Sequence, residues 1–447
     1  MNSFQQPLEK LLGTASERVR KAMRKLKVLI IEEISMVESQ FLERLNCLMQ
    51  HVRQNYRPFG GVQVIFVGDF HQLPPVKPFQ FCLHCGEVMA NQNTEPMCSS
   101  EKCARRGMAF MSCDKWAFRA PVWKDLHLRH VKLEQIHRQK DVGFQDVLNK
   151  IRNGVLLTDD EWDELTVKKD RDGAFPIRLM SRREQVRYFN MCQLGALKSK
   201  ACTWDALDSA RKLSYSDEDK CHPRVGQILR DLETYKESLK DHRLPTTLAL
   251  KVGARVVLLS NLNPEGGLVN GSQGEVVKFV DTTSWPVKKQ EGKGHNMWRA
   301  EQAKINEFQR SQGFQCPVVR FTCGKTVTVR PIVQESLRGR SNDRYLVSRI
   351  QIPLTLAWAL SIHKSQGMTL EHVEVSSNDI FESGQLYVGF SRATKLEGLT
   401  VTGYSREQLS TDKDVLEFYD NAPWEDLEAS NESKVQADID IEFVERR

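Results

Sequence analysis

The sequence predicts an α/β fold built on a parallel sheet, with a small antiparallel β-barrel beside it. Three observations lead there. Two apolar runs, 28–31 and 62–67, are each followed by polar or turn-forming residues, the pattern of strands buried on both faces. Between them Val37, Phe41, Leu45, Leu48 and Val52 recur every three or four residues, the period of an amphipathic helix, and Pro58, Phe59, Gly60 and Gly61 break it. Strand, helix, strand at this spacing defines a parallel layer. Finally, 252–259, 274–280, 318–321 and 326–329 are short valine-rich segments separated by glycine turns, which suit the barrel.

The 447 residues suffice for about three domains, and 40% apolar with 27% charged residues is an ordinary globular composition. No run approaches the 18 apolar residues of a membrane span, and the N-terminus has no apolar core of signal-peptide length. An intracellular protein without membrane association is expected. The net charge of +6 is a mild basic excess. Residues 10–27 are strongly basic, whereas 425–445 carry eight carboxylates against one lysine and read as a solvated acidic tail. Residues 181–240 read as polar helices and long loops, and the polar connection 281–313 as an exposed insertion in the barrel. The apolar run 352–360 resumes the α/β character.

Ligands of parallel sheets bind beyond the carboxyl ends of the strands, where Glu32, Glu33, Asp69 and Gln72 fall. Adjacent carboxylates at such a strand end are what Mg-nucleotide hydrolysis needs: one holds the metal and its neighbour orients or deprotonates the attacking water. Taken alone, a Glu-Glu pair is more often an exposed strand end.

Longer matches decide between these readings. Val-Leu-Ile-Ile-Glu-Glu-Ile-Ser-Met (28–36), Pro-Phe-Gly-Gly-Val-Gln (58–63) and Gly-Asp-Phe-His-Gln-Leu-Pro-Pro-Val (68–76) resemble the Walker B region and third motif of the petite-integration-frequency (Pif) family, superfamily-one helicases that use ATP and move 5′ to 3′ on DNA. Leu-Glu-Gln-Ile-His-Arg-Gln (133–139) is similar to its fourth motif, Ser-Ile-His-Lys-Ser-Gln-Gly (361–367) to its fifth and Gln-Leu-Tyr-Val-Gly-Phe-Ser-Arg-Ala (385–393) to its sixth. Asn270, Gly271, Ser272 and Gly274 resemble the entry to its SH3-like accessory domain. The matches follow the family's order over about 370 residues.

The resemblance implies two RecA-like parallel-sheet domains, the first incomplete, with an SH3-like β-barrel insertion. The corresponding divisions are 1–125 with a Cys-rich insertion at 80–113, 126–250, an accessory domain at 251–340, 341–415 and a tail at 416–447. It also implies residue roles. Glu33 would be the catalytic carboxylate, Gln72 a γ-phosphate sensor, and Arg138 and Arg392 arginine fingers whose planar charge spreads over the transferring phosphoryl group. Glu32 stands where the family has its magnesium-binding Asp, a departure that shifts the ion's position. Asp69, Gln366 and Gly367 would line the nucleotide, and His363, Lys364 and Ser365 would meet nucleic-acid phosphates. ATP, Mg2+, and single-stranded, forked or structured DNA are the implied cofactors and partners of a monomer acting in repair, recombination and telomere maintenance, in the nucleus or the mitochondrion.

Such enzymes grip ATP with a G-x-x-x-x-G-K-[ST] loop before Walker B. The 27 residues before Val28 contain none, and the Gly-Lys-Thr at 324–326 reads as a hairpin turn. The expectation is therefore a chain starting inside the first RecA-like domain and inactive as written, with Asn2-Ser3-Phe4 resembling the family's segment just after the loop. Such a first sheet should expose apolar faces. A non-catalytic single-strand-binding remnant and a helicase segment of a rolling-circle transposon are the alternatives.

Eleven cysteines, an odd total with one dense cluster, suit a reducing compartment with a metal site. Cys82-x2-Cys85, then twelve residues, then Cys98-x4-Cys103 offers two thiolate pairs for Zn2+, with His84 or Cys113 as substitutes and ordinary free thiols as the alternative. Trp116, Trp123, Trp204 and Trp358 are expected in cores.

Overall fold

The computed structural model describes residues 8–425 except 15–16, 77, 83, 93–94, 102, 104–109, 167–175, 214–238, 240–241, 284–294, 341–342, 378–379, 404–408 and 410. In the first domain α1 (Leu8–Thr14) packs on α2 (Ser39–Arg53), which connects the parallel strands β1 (Val28–Glu32) and β2 (Gln63–Val67). Val28 lies opposite Gln63 and Glu32 opposite Val67, so both strands end level with Glu33 and Gly68. The α2 face turned inward is Leu42, Leu48, Met49 and Val52, while Phe41 stays partly exposed. The predicted stripe is thus right in period but rotated by one residue at its start. Ile30, Ile65 and Val67, on one face of the β1–β2 ribbon, are exposed.

The second sheet is wholly parallel: β3 (Ile177–Met180), β4 (Ala359–Ser361), β5 (Val373–Ser376) and β6 (Leu399–Thr402) lie in the order β4-β3-β5-β6. Three of its strands alternate between buried and half-buried residues, with Ile177, Leu179, Val373, Val375, Leu399 and Val401 turned into the core, and only Ala359–Ser361 is buried throughout. Against it pack Phe144, Leu148 and Ile151 of α3 (Val142–Arg152) and the Leu386, Val388 and Phe390 side chains of the sixth motif.

Between β3 and β4 the chain builds the accessory domain. Strands Arg255–Leu258, Gln273–Asp281, Gln315–Phe321 and Thr326–Thr328 join in antiparallel order, and Gly324, with φ of 81°, turns the last hairpin at the Gly-Lys-Thr. Three readings change here. The segment 183–213 is not mostly loop: α4 (Arg183–Ala196) is followed by strands Cys202–Asp205 and Leu207–Leu213, which pair with Thr247–Leu250 and Asp343–Gln351. The accessory unit therefore reaches beyond 251–340 at both ends, and Leu354–Leu356, part of the run assigned to the α/β sheet, pairs with Arg255–Leu258. The polar connection 281–313 contains α5 (His295–Gln312), whose Phe308 is buried in the barrel core. Among its described residues Phe308 and Gln309 are the buried ones, and the rest of its sequence is largely polar.

The last element crosses back to the first domain. In α8, reached after α6 (Ile362–Ser365) and α7 (Gln385–Phe390) and spanning Lys413–Asn421, Val415 is fully buried beside Phe70 and Trp116. Phe418 stacks on Phe118 with ring centroids 4.5 Å apart, and Tyr419 on His71 at 4.5 Å. Arg119 pairs with Asp414 at 2.6 Å, and Trp424–Glu425 adds a short parallel strand to His130–Val131. The tail expected from 416 thus begins later; residues 426–447 lie outside the described ones. Trp116 and Trp204 are buried core residues, and Trp123 and Trp358 pack against the same cores.

His71 is sealed under Tyr419, and burial together with the Arg152 charge lowers its pKa to about 4 from the usual 6.5. The folded chain binds this proton more weakly than the unfolded one, so the contribution is fully present above pH 6.5 and is lost as pH falls toward 4. Thermal unfolding between pH 7 and 4 should show that decline, and H71Q should flatten it; an unchanged pH slope in H71Q contradicts the assignment.

Candidate active site

The carboxyl ends of β1 and β2 face the start of α6 across the domain junction. Glu33 sits in the left-handed region at φ of 53° and ψ of 49°, where a non-glycine residue is strained. That turn starts the short helix Ile34–Met36 and lets the backbone pass close to Gly68, where a Cβ would lie 2.8 Å from the Ile34 nitrogen. Glu33 is held outward, beyond the strand end.

The second domain meets it there. The Gln366 side-chain amide donates to Glu33 Oε2 at 2.9 Å and approaches Gln72 Oε1 at 3.4 Å, joining the fifth motif to Walker B and the third motif. Gly384 makes this approach possible: it has φ of 79°, and a Cβ would fall 2.5 Å from the His71 carbonyl oxygen.

Behind this contact lie two arginines. Arg392 is buried, donating from Nε to the Val388 carbonyl at 2.8 Å and from Nη2 to Ser391 Oγ at 2.7 Å. Arg138 donates to the Ser391 carbonyl at 3.1 Å and to Thr369 Oγ1 at 3.2 Å. Among the described residues neither forms an ion pair. Burial, then repulsion from Arg138, lowers the Arg392 pKa to about 10, while the Glu33 charge acts the other way. Burial likewise lowers that of Arg138. Two guanidinium groups desolvated beside each other without a carboxylate counter-ion form a site for a multivalent anion. This donor set fits a nucleotide polyphosphate. Burial and then the Asp69 charge push the Tyr387 pKa up to about 12, while the Arg152, Arg392 and Arg138 charges act the other way.

The sequence-predicted residues do not all gather there. Asp69 Oδ1 accepts from Arg152 Nη2 at 2.9 Å, the Tyr419 hydroxyl at 3.2 Å and the His71 amide, and Oδ2 from Arg152 Nε at 3.2 Å. Both of its oxygens are engaged in an interdomain ion pair in this structure. Burial alone would raise its pKa, but the Arg152 charge outweighs this and holds it below the usual carboxylate range. Ser365 is fully buried, and its hydroxyl donates to the Ile362 carbonyl. Glu32 is exposed at the end of β1, and Gly367 turns the chain after α6 at φ of 76°.

A second surface lies at the carboxyl ends of β3 and β4. His363 and the half-exposed Phe381 stack with centroids 6.4 Å apart, and the Arg182 guanidinium lies 6.0 Å from the Phe381 ring. Burial, then the Arg183 charge, lowers the pKa of both His363 and Lys364. Cation and aromatic side chains at one place suit a nucleic-acid strand. Phe381, Arg182 and Arg183 were not singled out in the sequence, although an exposed aromatic just before the sixth motif and arginines directly after a parallel strand were available signals.

Residues 7–81 match the family described as PIF1-like helicase, and 234–279 match the DNA helicase Pif1 2B domain. The chain is 34% identical over 406 residues to the ATP-dependent DNA helicase PIF1 of Xenopus laevis, covering 90% of this chain and 50% of that protein. It thus spans about half the length of the curated relatives it matches. The crystal structure of the Pif1 helicase from Candida albicans superposes with a TM-score of 0.66 at 30% identity, over 93% of this chain and 82% of that one. A Bacteroides Pif1 in complex with ADP-AlF3 and ssDNA superposes at 0.51 and 25% identity, over 95% and 83%. The fold defines a two-domain RecA-like architecture with an inserted barrel. The chain belongs to the Pif1-like helicase family of superfamily-one helicases. Among the described residues no helix is long and apolar enough to cross a membrane.

The Asp69–Arg152 pair joins the domains and is mostly buried, with side-chain exposures of 18% and 22%. Removing one partner of such a pair leaves an uncompensated charge at a cost of about 3 kcal/mol. R152M should lower the stability of the folded chain by roughly that amount, and D69N/R152M should recover part of it. Equal losses in the single and double variants, measured by urea unfolding, would remove the pair from its anchoring role.

Proposed function

We propose that this chain supplies the Walker B region and the third to sixth motifs of an ATP-dependent DNA helicase that translocates 5′ to 3′ on single-stranded DNA. The observation that carries this reading is the Gln366 amide between Glu33 and Gln72, with Arg138 and Arg392 beside it. Glu33 accepts a proton from the attacking water and orients it, and the bond from Gln366 fixes the carboxylate for that task. Gln72 reports the state of the terminal phosphate to Gln366. Arg138 and Arg392 spread positive charge over the transferring phosphoryl group, an effect worth ~10³ to 10⁵ in rate in nucleotide hydrolases. Glu32 would hold Mg2+, which supplies charge neutralisation to ATP when bound. Because Gln366 and both arginines belong to the second domain and Glu33 to the first, nucleotide turnover alters the domain contact, which is how hydrolysis becomes movement.

His363 and Lys364, with Phe381 and Arg182, take the strand: cations on phosphates and the ring against a base. This contact is salt-dependent and largely indifferent to sequence. Forked and structured DNA are the expected substrates of a monomeric motor, and genome maintenance in the nucleus, through repair, recombination and telomere upkeep, is the expected setting.

Turnover of ATP stimulated by single-stranded DNA, measured on the protein as its own cells make it, tests this. E33Q should lower turnover by about 10²- to 10⁴-fold, the range for loss of a positioned general base, and leave strand binding intact. Turnover that is insensitive to E33Q, or the absence of salt-sensitive strand binding, would overturn the reading.

A further inference from the structure

The geometry points to a structural zinc centre at Cys82, Cys85, Cys98 and Cys103 that braces the segment after the third motif against α1 and α2, a role separate from the motor chemistry. All four sulfurs lie within 4.8 Å of one another. Cys82 and Cys103 Sγ are 3.7 Å apart, and Cys85 and Cys98 Sγ 3.6 Å. A disulfide requires about 2.05 Å, so neither pair is bonded. Tetrahedral zinc with bonds of about 2.3 Å to sulfur places its ligands about 3.8 Å apart. The spacing is that of four ligands around one ion, with no room for a multi-iron cluster.

The backbone is shaped for thiolates. The amides of His84 and Cys85 bond to the Cys82 sulfur, that of Glu87 to Cys85, and that of Ser100 to Cys98. The first turn closes through Gly86, whose amide donates to the Cys82 carbonyl at 2.9 Å and whose φ of 74° favours glycine there. Such amide-to-sulfur bonds stabilise negative charge on sulfur. Cys82, Cys98 and Cys103 are buried, and four sulfurs fill the first shell with no position left for water or substrate, the mark of a structural rather than catalytic zinc. Four thiolates and one Zn2+ leave a net charge of −2. Arg44, buried in α2, is the cation whose charge acts on Cys82.

The metal would supply what packing does not. Around the cysteines the buried apolar side chains are Phe79 and Met89, with Phe110 stacked on Phe79 at 5.1 Å. So small a core does not hold a loop of this length without a crosslink or a metal. What the loop holds in turn is specific. The His84 carbonyl, inside the first thiolate turn, accepts from the Leu8 amide at 3.2 Å at the start of α1, and the Phe79 amide donates to Glu38 Oε1 at 3.1 Å at the start of α2. Zinc fixes the turn, and the turn fixes both helices and the exit of the third motif.

The test uses the whole chain, expressed with added zinc and with iron present, and analysed for bound metals. The expected content is about one zinc per chain, released when a mercurial reagent titrates four thiols. Cobalt exchanged into the site should give the thiolate-to-metal and visible bands of a tetrahedral tetrathiolate. C82S/C85S should lose the metal, whereas C192S, at an exposed cysteine outside the cluster, should keep it. Should C82S/C85S fail to fold, the mercurial titration of the unmodified chain decides alone. Hydrogen exchange at the Leu8 and Phe79 amides should rise at least tenfold on zinc release. No zinc, iron in its place, or full zinc in soluble C82S/C85S overturns the centre; zinc release without faster exchange overturns the brace.

Discussion

The bidentate contact between Arg152 and Asp69 is the constraint on which the rest of the arrangement turns. Arg152 ends α3 of the second domain and Asp69 follows β2 of the first, so their bond sets how the two sheets face each other. Tyr419 bonds the same carboxylate and stacks on His71, bringing the last helix into the same joint. Only with that joint closed does Gly384 reach the backbone at His71, and only then does the Gln366 amide arrive between Glu33 and Gln72. A buried charge pair contributes less to stability than to specificity of arrangement when both partners are well bonded, and this one lies where arrangement matters most.

A division of labour among like residues follows from their surroundings. Arg152 is neutralised by Asp69, whereas Arg138 and Arg392 are desolvated beside each other with carbonyl and hydroxyl partners only. Arginine remains charged under these conditions, so the pair keeps an unmet demand for an anion. Glu33 and Asp69 divide in the same way. Asp69 is sealed and paired, while Glu33 stays exposed in a strained turn with one amide donor. The chemical capacity resides in the members whose charges the fold leaves uncompensated.

Much of this was legible in the sequence because it depends on local pattern. Apolar runs ending in carboxylates located β1 and β2, and the resemblance to family motifs singled out Gln366, Arg138 and Arg392. The cysteine spacing located four side chains that the fold gathers into one cluster. What escaped depended on distant partners. Asp69 falls at a strand end in the sequence, and its partner Arg152 comes 83 residues later. The helix His295–Gln312 lies in a connection whose polar sequence reads as an exposed insertion, because its docking rests on a few side chains such as Phe308. The strands Cys202–Asp205 and Leu207–Leu213 show no apolar alternation, since they are held by pairing with Thr247–Leu250 and Asp343–Gln351. The tail division drawn at 416 cuts through the helix Lys413–Asn421, whose Val415 and Phe418 anchor it to the first core.

The central claim is that one anion site is assembled from both domains, with Arg138 and Arg392 aimed at the phosphoryl group that Glu33 serves. The most direct measurement is a structure of the protein from its own cells bound to Mg2+, ADP and aluminium fluoride with a single strand of DNA. The account predicts the planar fluoride within hydrogen-bonding distance of both guanidinium groups and a water between it and Glu33. A nucleotide bound with Arg138 and Arg392 still turned to the Ser391 and Val388 carbonyls, and Glu33 remote from the fluoride, would contradict it.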